Sequence, residues 1–189
     1  DLTDADIVTC DKEYYTGYKT TDNILGDYMF YDKDKYISIK LPKSIKSIAN
    51  NAFNSCDNLI VVNLPSTLCK IGSYAFGSCQ NLRIVTFPDN LEVIECDAFR
   101  GCSTLANLTL PKRLKTIGSD AFSSCTSLTE IKIPSSITSI GSSAFLGCDL
   151  KKIYTATLLP ISIDQTTFST YETATLYVPK TSYSTYWLN

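Results

Sequence analysis

The chain has 189 residues, with 17 basic and 19 acidic side chains and a formal net charge of −2. This mixed charge argues against a nucleic-acid-binding protein, which needs a basic patch or stripe. Because there is no histidine, histidine-based catalytic triads, histidine metal ligands and a histidine pH switch are all excluded. No apolar run approaches the roughly 18 residues of a membrane-spanning helix. The first residues, Asp1–Asp4, do not resemble a signal peptide, so we expect a mature or trimmed form.

A 23-residue repeat organises most of the sequence. Proline, phenylalanine and cysteine each recur five times at this step. The positions are Pro42, Pro65, Pro88, Pro111 and Pro134; Phe53, Phe76, Phe99, Phe122 and Phe145; and Cys56, Cys79, Cys102, Cys125 and Cys148. A period between about 20 and 50 residues is typical of solenoids, in which each repeat forms one coil.

The beginning of the chain is predicted to cap the solenoid. Residues 1 to about 23 carry no repeat, and a degenerate copy begins at Leu25 and continues through Phe30 and Ile39. Terminal repeats of a solenoid are atypical because they must cover an open end of the core. We therefore predict an N-terminal cap with a degenerate repeat over residues 1–40.

Residues 41–155 contain five good copies, each with a predicted strand. The segment Leu59–Leu64 has the L-x-x-L-x-L spacing of a leucine-rich repeat strand. Its equivalents are Leu82–Phe87, Leu105–Leu110 and Leu128–Ile133. A proline closes each segment, at the point where a parallel ladder should end because proline lacks an amide donor. The pattern predicts a parallel β-sheet on one face.

The return segment of each coil shows a different spacing. Its apolar positions, for example Leu68, Ile71, Ala75, Phe76 and Cys79, follow one another at steps of 3, 4, 1 and 3. This spacing is helical rather than alternating. Because the segment is short, we predict one or two turns of α- or 3₁₀-helix on the face opposite the sheet.

The regular pattern decays after residue 155. A last strand-like stretch, Ala174–Pro179, leads into Tyr183, Tyr186 and Trp187. We predict a degenerate repeat and a C-terminal cap over residues 156–189. The predicted fold class is therefore α/β: a leucine-rich repeat solenoid of 23-residue coils, with a parallel sheet on one face and short α- or 3₁₀-helical turns on the other.

The recurring pattern of Leu-Pro, isoleucine, Ala-Phe, cysteine and leucine over residues 41–153 resembles the BspA-like, or Treponema pallidum type, leucine-rich repeats. The ending LYVPKTSYSTYW is similar to that of such proteins from Bacteroides-type bacteria. The resemblance implies a secreted or surface-anchored protein used in adhesion, often to host extracellular proteins. It implies no enzymatic activity and no cofactor. A function taken from the family is an analogy at this stage, because function resides in particular sites and not in the fold.

The repeat cysteines could in principle form a disulfide, metal or redox site. Side chains in a ladder run parallel, whereas a disulfide needs Cβ atoms that face each other. The sequence also lacks a C-x-x-C motif, which argues against zinc-ribbon and redox-motif interpretations. We therefore interpret the column as small buried residues, and predict no metal and no cofactor.

The sheet side chains that alternate with the buried ones are the candidate binding residues. If Leu59, Val62 and Leu64 point inward, their neighbours point outward on a concave sheet. The candidates are Val61, Asn63, Ile84, Thr86, Asn107, Thr109, Glu130, Lys132, Lys152 and Tyr154. A contiguous patch of exposed apolar residues often marks a partner site. The alternative is a solvated sheet without a function.

The predicted function is non-enzymatic extracellular adhesion, in which the concave sheet binds a protein such as a host matrix or cell-surface protein. Two alternatives stay open. Tyr14, Tyr15 and Tyr18 could stack on sugar rings in a carbohydrate-binding module, although packing in the cap is the commoner role of such residues. The chain could also be a structural spacer of a larger surface protein. The sequence does not predict the oligomeric state or the mode of anchoring.

Overall fold

The computed structural model describes residues 6–9, 23–157, 165–169 and 173–180. The described chain contains strands of two kinds, longer strands and two-residue strands. The longer strands are β1 (Asp6–Thr9), β3 (Tyr36–Lys40), β5 (Val61–Asn63), β7 (Ile84–Thr86), β10 (Glu130–Ile133), β12 (Lys152–Thr155) and β13 (Thr175–Tyr177). The two-residue strands are β2 (Ile24–Leu25), β4 (Ser47–Ile48), β6 (Lys70–Ile71), β8 (Val93–Ile94), β9 (Thr116–Ile117) and β11 (Ser139–Ile140).

The pairing of these strands confirms a solenoid of parallel sheets. Ile39 pairs with Val62 and Val62 with Val85, so each coil advances the register by one full sequence repeat. The two-residue strands form one six-stranded sheet in the order β11-β9-β8-β6-β4-β2. The longer strands form two sheets, β1-β3-β5-β7 and β10-β12-β13. Strand β1 is antiparallel to β3 and covers its outer edge.

A column of phenylalanine rings occupies the core. Seven rings stack with centroids 4.9–5.5 Å apart and interplanar angles of at most 13°. They are Phe30, Phe53, Phe76, Phe99, Phe122, Phe145 and Phe168. These distances are typical of favourable aromatic pairs. The degenerate copies at both ends therefore contribute Phe30 and Phe168 to the same core.

The predicted helical turns are not confirmed in the described return segments. Within residues 41–155 the structure has hydrogen-bonded turns and two-residue strands in their place. The backbone takes a positive φ at Tyr74 (55°) and Ser78 (57°), which a right-handed helix cannot contain. The amides of Tyr74, Phe76 and Ser78 donate to carbonyls of the next coil, at 3.1, 2.8 and 2.6 Å. These donors are therefore used between coils rather than along a helix.

Gly118 shows why glycine follows the buried isoleucine in several coils. A Cβ atom at this position would lie 2.4 Å from the backbone nitrogen of Cys96 in the preceding coil. Real Cβ atoms do not approach backbone so closely, and glycine is the residue that permits such an approach. The glycine therefore allows two coils to pack against each other at this bend.

The strand predicted over Leu105–Leu110 is absent, and the longer-stranded sheet is divided at this place. In β7, Ile84, Val85 and Thr86 are all β-branched, whereas the equivalent Asn107 and Leu108 are not, and asparagine is depleted in strands. Phe87 also replaces the leucine or isoleucine that closes the other copies. Its ring packs edge-on against Phe99 of the next coil, with centroids 5.5 Å apart, and so occupies space beside the expected strand.

Candidate protein-binding surface

The ten predicted binding residues all lie on the outward side of the longer-stranded sheets and the segment between them. Val61 and Tyr154 are half-buried and the other eight are exposed. Val62, Val85 and Ile131 alternate with them and are buried. We call this surface the outer strand face. It comprises Val61, Asn63, Ile84, Thr86, Asn107, Thr109, Glu130, Lys132, Lys152 and Tyr154.

One half of the outer strand face is neutral and partly apolar. Strands β5 and β7 place Val61 opposite Ile84 and Asn63 opposite Thr86. The Ile84 side chain is 53% exposed, although burying an aliphatic side chain of this size is worth about 1.5–3 kcal/mol. This half therefore offers apolar area to a partner.

The other half is charged and aromatic. Strands β10 and β12 pair Glu130 with Lys152 and Lys132 with Tyr154. Tyr154 stacks on Tyr177 of β13 with ring centroids 4.5 Å apart, and the Lys132 ammonium lies 5.6 Å from the Tyr154 centroid. The prediction missed Tyr177, although it lies one repeat period after Tyr154. Because one face of the Tyr154 ring lies against Tyr177 and Lys132 lies over the ring, Tyr154 is poorly placed to stack on a sugar.

The unpaired segment, residues 106–110, separates the two halves and carries Asn107 and Thr109. Within the described chain no backbone hydrogen bond joins it to β7 or β10. Elsewhere the Ile84 amide donates to the Ile60 carbonyl at 3.2 Å, and the Lys152 amide to the Thr129 carbonyl at 3.3 Å. The equivalent bonds, from Asn107 to Arg83 and from Glu130 to Ala106, are missing from the described hydrogen bonds.

A cleft of about 280 Å³ lies on each side of the unpaired segment. The cleft beside β7 is lined by Thr86, Phe87, Asp89, Leu110, Pro111 and Lys112, among others. The cleft beside β10 is more polar, with Asn107, Thr109, Thr129, Glu130 and Lys132. The prediction did not identify these clefts. The signals for them were Phe87 in the leucine column and the loss of β-branched residues at Asn107 and Leu108.

The repeat cysteines form a packed column. All five are buried, and each thiol donates to the carbonyl of a phenylalanine, as Cys79 does to Phe53 at 3.0 Å and Cys102 to Phe76 at 3.1 Å. Burial raises the pKa of the Cys56 thiol to about 12 and the pKa of Cys79 well above its usual range. These two thiols therefore stay protonated at neutral pH, which makes them poor nucleophiles and poor metal ligands.

Other predicted features lie off this surface or outside the described chain. Cys69 and Cys96 are exposed and free. Tyr14, Tyr15 and Tyr18, for which glycan binding was considered, lie outside the described residues. Among the residues that the structure describes, no helix has the length and apolar character needed to span a membrane.

The parallel coils and the repeat pattern are those of a leucine-rich repeat protein. The BspA type Leucine rich repeat region matches six copies in the chain, over residues 23–151 and 92–185. The chain therefore belongs to the BspA-type leucine-rich repeat family. No curated protein matches it significantly.

Solved structures with the same fold come from several bacteria. The chain is similar to the T. pallidum leucine rich repeat protein, with 37% identity, a TM-score of 0.61 and 62% of this chain covered. A leucine-rich repeat protein from Bacteroides ovatus shows 27% identity, a TM-score of 0.61 and 76% coverage. The pneumococcal vaccine antigen PcpA shows 30% identity, a TM-score of 0.69 and 81% coverage. The chain spans 58%, 48% and 39% of the lengths of these proteins.

Proposed function

We propose that this chain is a non-enzymatic binding module of an extracellular or cell-surface protein, and that it recognises a protein partner through the outer strand face. The single observation that carries the proposal is an apolar pair, the half-buried Val61 and the exposed Ile84, placed opposite each other beside an interrupted sheet. Exposed apolar area of this kind often marks a partner site. The similar solved structures include a pneumococcal vaccine antigen, which supports a surface location, and the BspA-type family of the chain supports a binding or adhesive role.

Exchanging both apolar residues for glutamate should weaken partner binding. In the Val61→Glu, Ile84→Glu variant, two carboxylates would have to be desolvated at the interface, so we expect at least a tenfold weaker affinity, about 1.4 kcal/mol. The probes are immobilised extracellular matrix proteins and a glycan array, assayed in parallel.

The matched control is the Ile24→Glu, Leu146→Glu variant, because these residues are 42% and 41% exposed and lie off the outer strand face. The proposal is supported if the Val61→Glu, Ile84→Glu variant loses matrix-protein binding and the control variant keeps it. Binding that the Val61→Glu, Ile84→Glu variant retains, or binding to glycans alone, would contradict the proposal. If the wild-type chain binds neither the matrix proteins nor the glycans, the result favours a structural spacer.

A further inference from the structure

We propose that the chain carries a second binding site, in the return turns of the coils, and that this site takes an extended β-1,4-linked oligosaccharide. The turns lie between the two-residue strand and the repeat cysteine of each coil, so the site is separate from the outer strand face and goes beyond the proposed function. We call it the tyrosine ridge, which comprises Tyr28, Tyr31, Asn51, Asn54, Tyr74 and Gly77.

The repeat places the two main tyrosines of the ridge in one column. Tyr28, Asn51 and Tyr74 hold the same position in three successive coils, and their φ angles are 54°, 57° and 55°. Because they share this backbone conformation, their Cα–Cβ bonds point in the same direction. The phenylalanine rings of these coils lie 4.9 and 5.1 Å apart, so the backbones of Tyr28 and Tyr74 are separated by about 10 Å.

Both tyrosines present ring surface to solvent. Tyr28 is 59% exposed and Tyr74 is 38% exposed. Gly77 makes room for the Tyr74 ring, since a Cβ atom at position 77 would lie only 3.1 Å from Cδ1 of that ring. The Tyr74 ring therefore lies against the turn and leaves its other side open to a ligand.

Contacts with neighbouring side chains hold the rings in place. The Tyr74 hydroxyl hydrogen-bonds with Asp97 and Arg100, and desolvation and the Asp97 carboxylate raise the pKa of Tyr74. Asp97 and Arg100 form an ion pair at 3.0 Å. Tyr28 contacts Tyr31 edge-on, with ring centroids 5.5 Å apart. A ring that is already held loses little freedom on binding, which lowers the cost of stacking a ligand on it.

The groups between the two tyrosines indicate the chemistry of the ligand. In the middle coil the Asn54 amide donates to Asn51 at 2.9 Å, so the ridge presents planar, uncharged amides there. A pyranose ring has an apolar face of C–H bonds, which can stack on tyrosine, and hydroxyl groups at its rim, which amides can bind. Tyrosine suits such a ligand because its ring is apolar and its hydroxyl is polar.

The spacing of the tyrosines indicates the linkage. In an extended β-1,4-linked chain every second sugar presents the same face, and the separation of these sugars is close to two coil steps. Tyr28 and Tyr74 lie two coil steps apart. An α-1,4-linked chain curves, and its alternate sugars do not present one face along a line. The ridge is therefore expected to prefer the β-linked chain.

Calorimetric titration with cellohexaose and chitohexaose tests the site, with maltohexaose as the α-linked control. We expect at least one β-linked hexasaccharide to bind at millimolar concentration or below, and maltohexaose to bind at least tenfold more weakly. Absence of binding by both β-linked hexasaccharides would overturn the inference. Binding of maltohexaose with equal affinity would also overturn it, because the spacing of the tyrosines would then not select the ligand.

Substitutions of the tyrosines test where the oligosaccharide binds. Tyr28→Ala and Tyr74→Ala should each weaken binding at least about tenfold, because each removes one stacking ring. Tyr74→Phe should stay within about threefold of the wild type, because the ring remains. The matched control is Tyr177→Ala, since Tyr177 is 43% exposed and lies on β13, off the ridge. Equal affinities for the control and the two ridge alanine variants would overturn the inference, as would an equal loss in Tyr74→Phe and Tyr74→Ala.

The Val61→Glu, Ile84→Glu variant separates this inference from the proposed function. It should bind the β-linked hexasaccharide with wild-type affinity, whatever its effect on matrix-protein binding. Loss of hexasaccharide binding in this variant would overturn the ridge as the site. Matrix-protein binding that Tyr28→Ala and Tyr74→Ala abolish, without any hexasaccharide binding by the wild type, would show that the ridge binds protein and would overturn the inference as well.

Discussion

Replacing Phe99 with alanine should lower the free energy of unfolding by about 3–5 kcal/mol, the usual cost of truncating a fully buried phenylalanine. The Phe99 ring is completely buried and stacks between Phe76 and Phe122, at 5.2 and 5.3 Å. Each coil of a solenoid is stabilised by its neighbours, so the cavity would weaken two coil interfaces at once. Chemical denaturation measures the change.

Leu146→Ala is the matched control for Phe99→Ala. Leu146 is 41% exposed and follows Phe145 in the sequence, so its truncation opens no cavity of comparable size. We expect a loss below about 1 kcal/mol, as is usual for surface substitutions. Equal denaturation midpoints for the two variants would contradict a core organised around the phenylalanine column.

Stability should fall steeply as the pH rises above about 9, because of the cysteine column. Burial raises the pKa of Cys56 from its ordinary value of 9.0 to about 12, and burial raises the pKa of Cys102 as well. Above pH 9 the unfolded chain releases these protons while the folded chain keeps them, so the folded state binds more protons and stability decreases with pH. For Cys56 alone the loss would reach about 4 kcal/mol at pH 12.

Tyrosines and lysines titrate in the same range, so a variant must isolate the contribution of a thiol. Cys102→Ala removes one fully buried group and leaves those residues in place. Between pH 9 and 11, its free energy of unfolding should decline less steeply with pH than that of the wild type. Because the variant lacks one titrating thiol, the two slopes should differ by up to about 1.4 kcal/mol per pH unit. If the free energies of unfolding of the two proteins decline in parallel with pH, the buried thiols do not cause the loss of stability at alkaline pH.

The periodicity of the sequence was sufficient to predict the coil length, the register and the outward positions of the strands. Each depends on a repeated column, such as Ile39, Val62 and Val85, whose members experience the same environment. The interruption could not be predicted from the same columns, because it arises where one copy departs from them. Phe87 and Asn107 each fit a strand pattern tolerably by themselves. Their combined effect depends on how Phe87 packs against Phe99.

The predicted helical turns are not confirmed in the described return segments, for a related reason. A separation of three positions is shared by helices and by successive turns with i→i+3 bonds, such as those from Gly77 to Tyr74 and from Cys79 to Phe76. Apolar spacing therefore does not distinguish the two. The positive φ at Tyr74 and Ser78 distinguishes the turns from a helix. Neither tyrosine nor serine indicates a positive φ in the way that glycine does, so the sequence gives no local signal of it.

The binding account depends on the interruption of the sheet, and amide hydrogen exchange of the intact chain tests that interruption most directly. We predict fast exchange at Asn107 and Glu130, and slow exchange at Ile84 and Lys152, which hold the equivalent positions in paired coils and donate to Ile60 and Thr129. Protection of Asn107 and Glu130 equal to that of Ile84 and Lys152 would show a continuous sheet. That result would contradict the unpaired segment on which the two clefts depend.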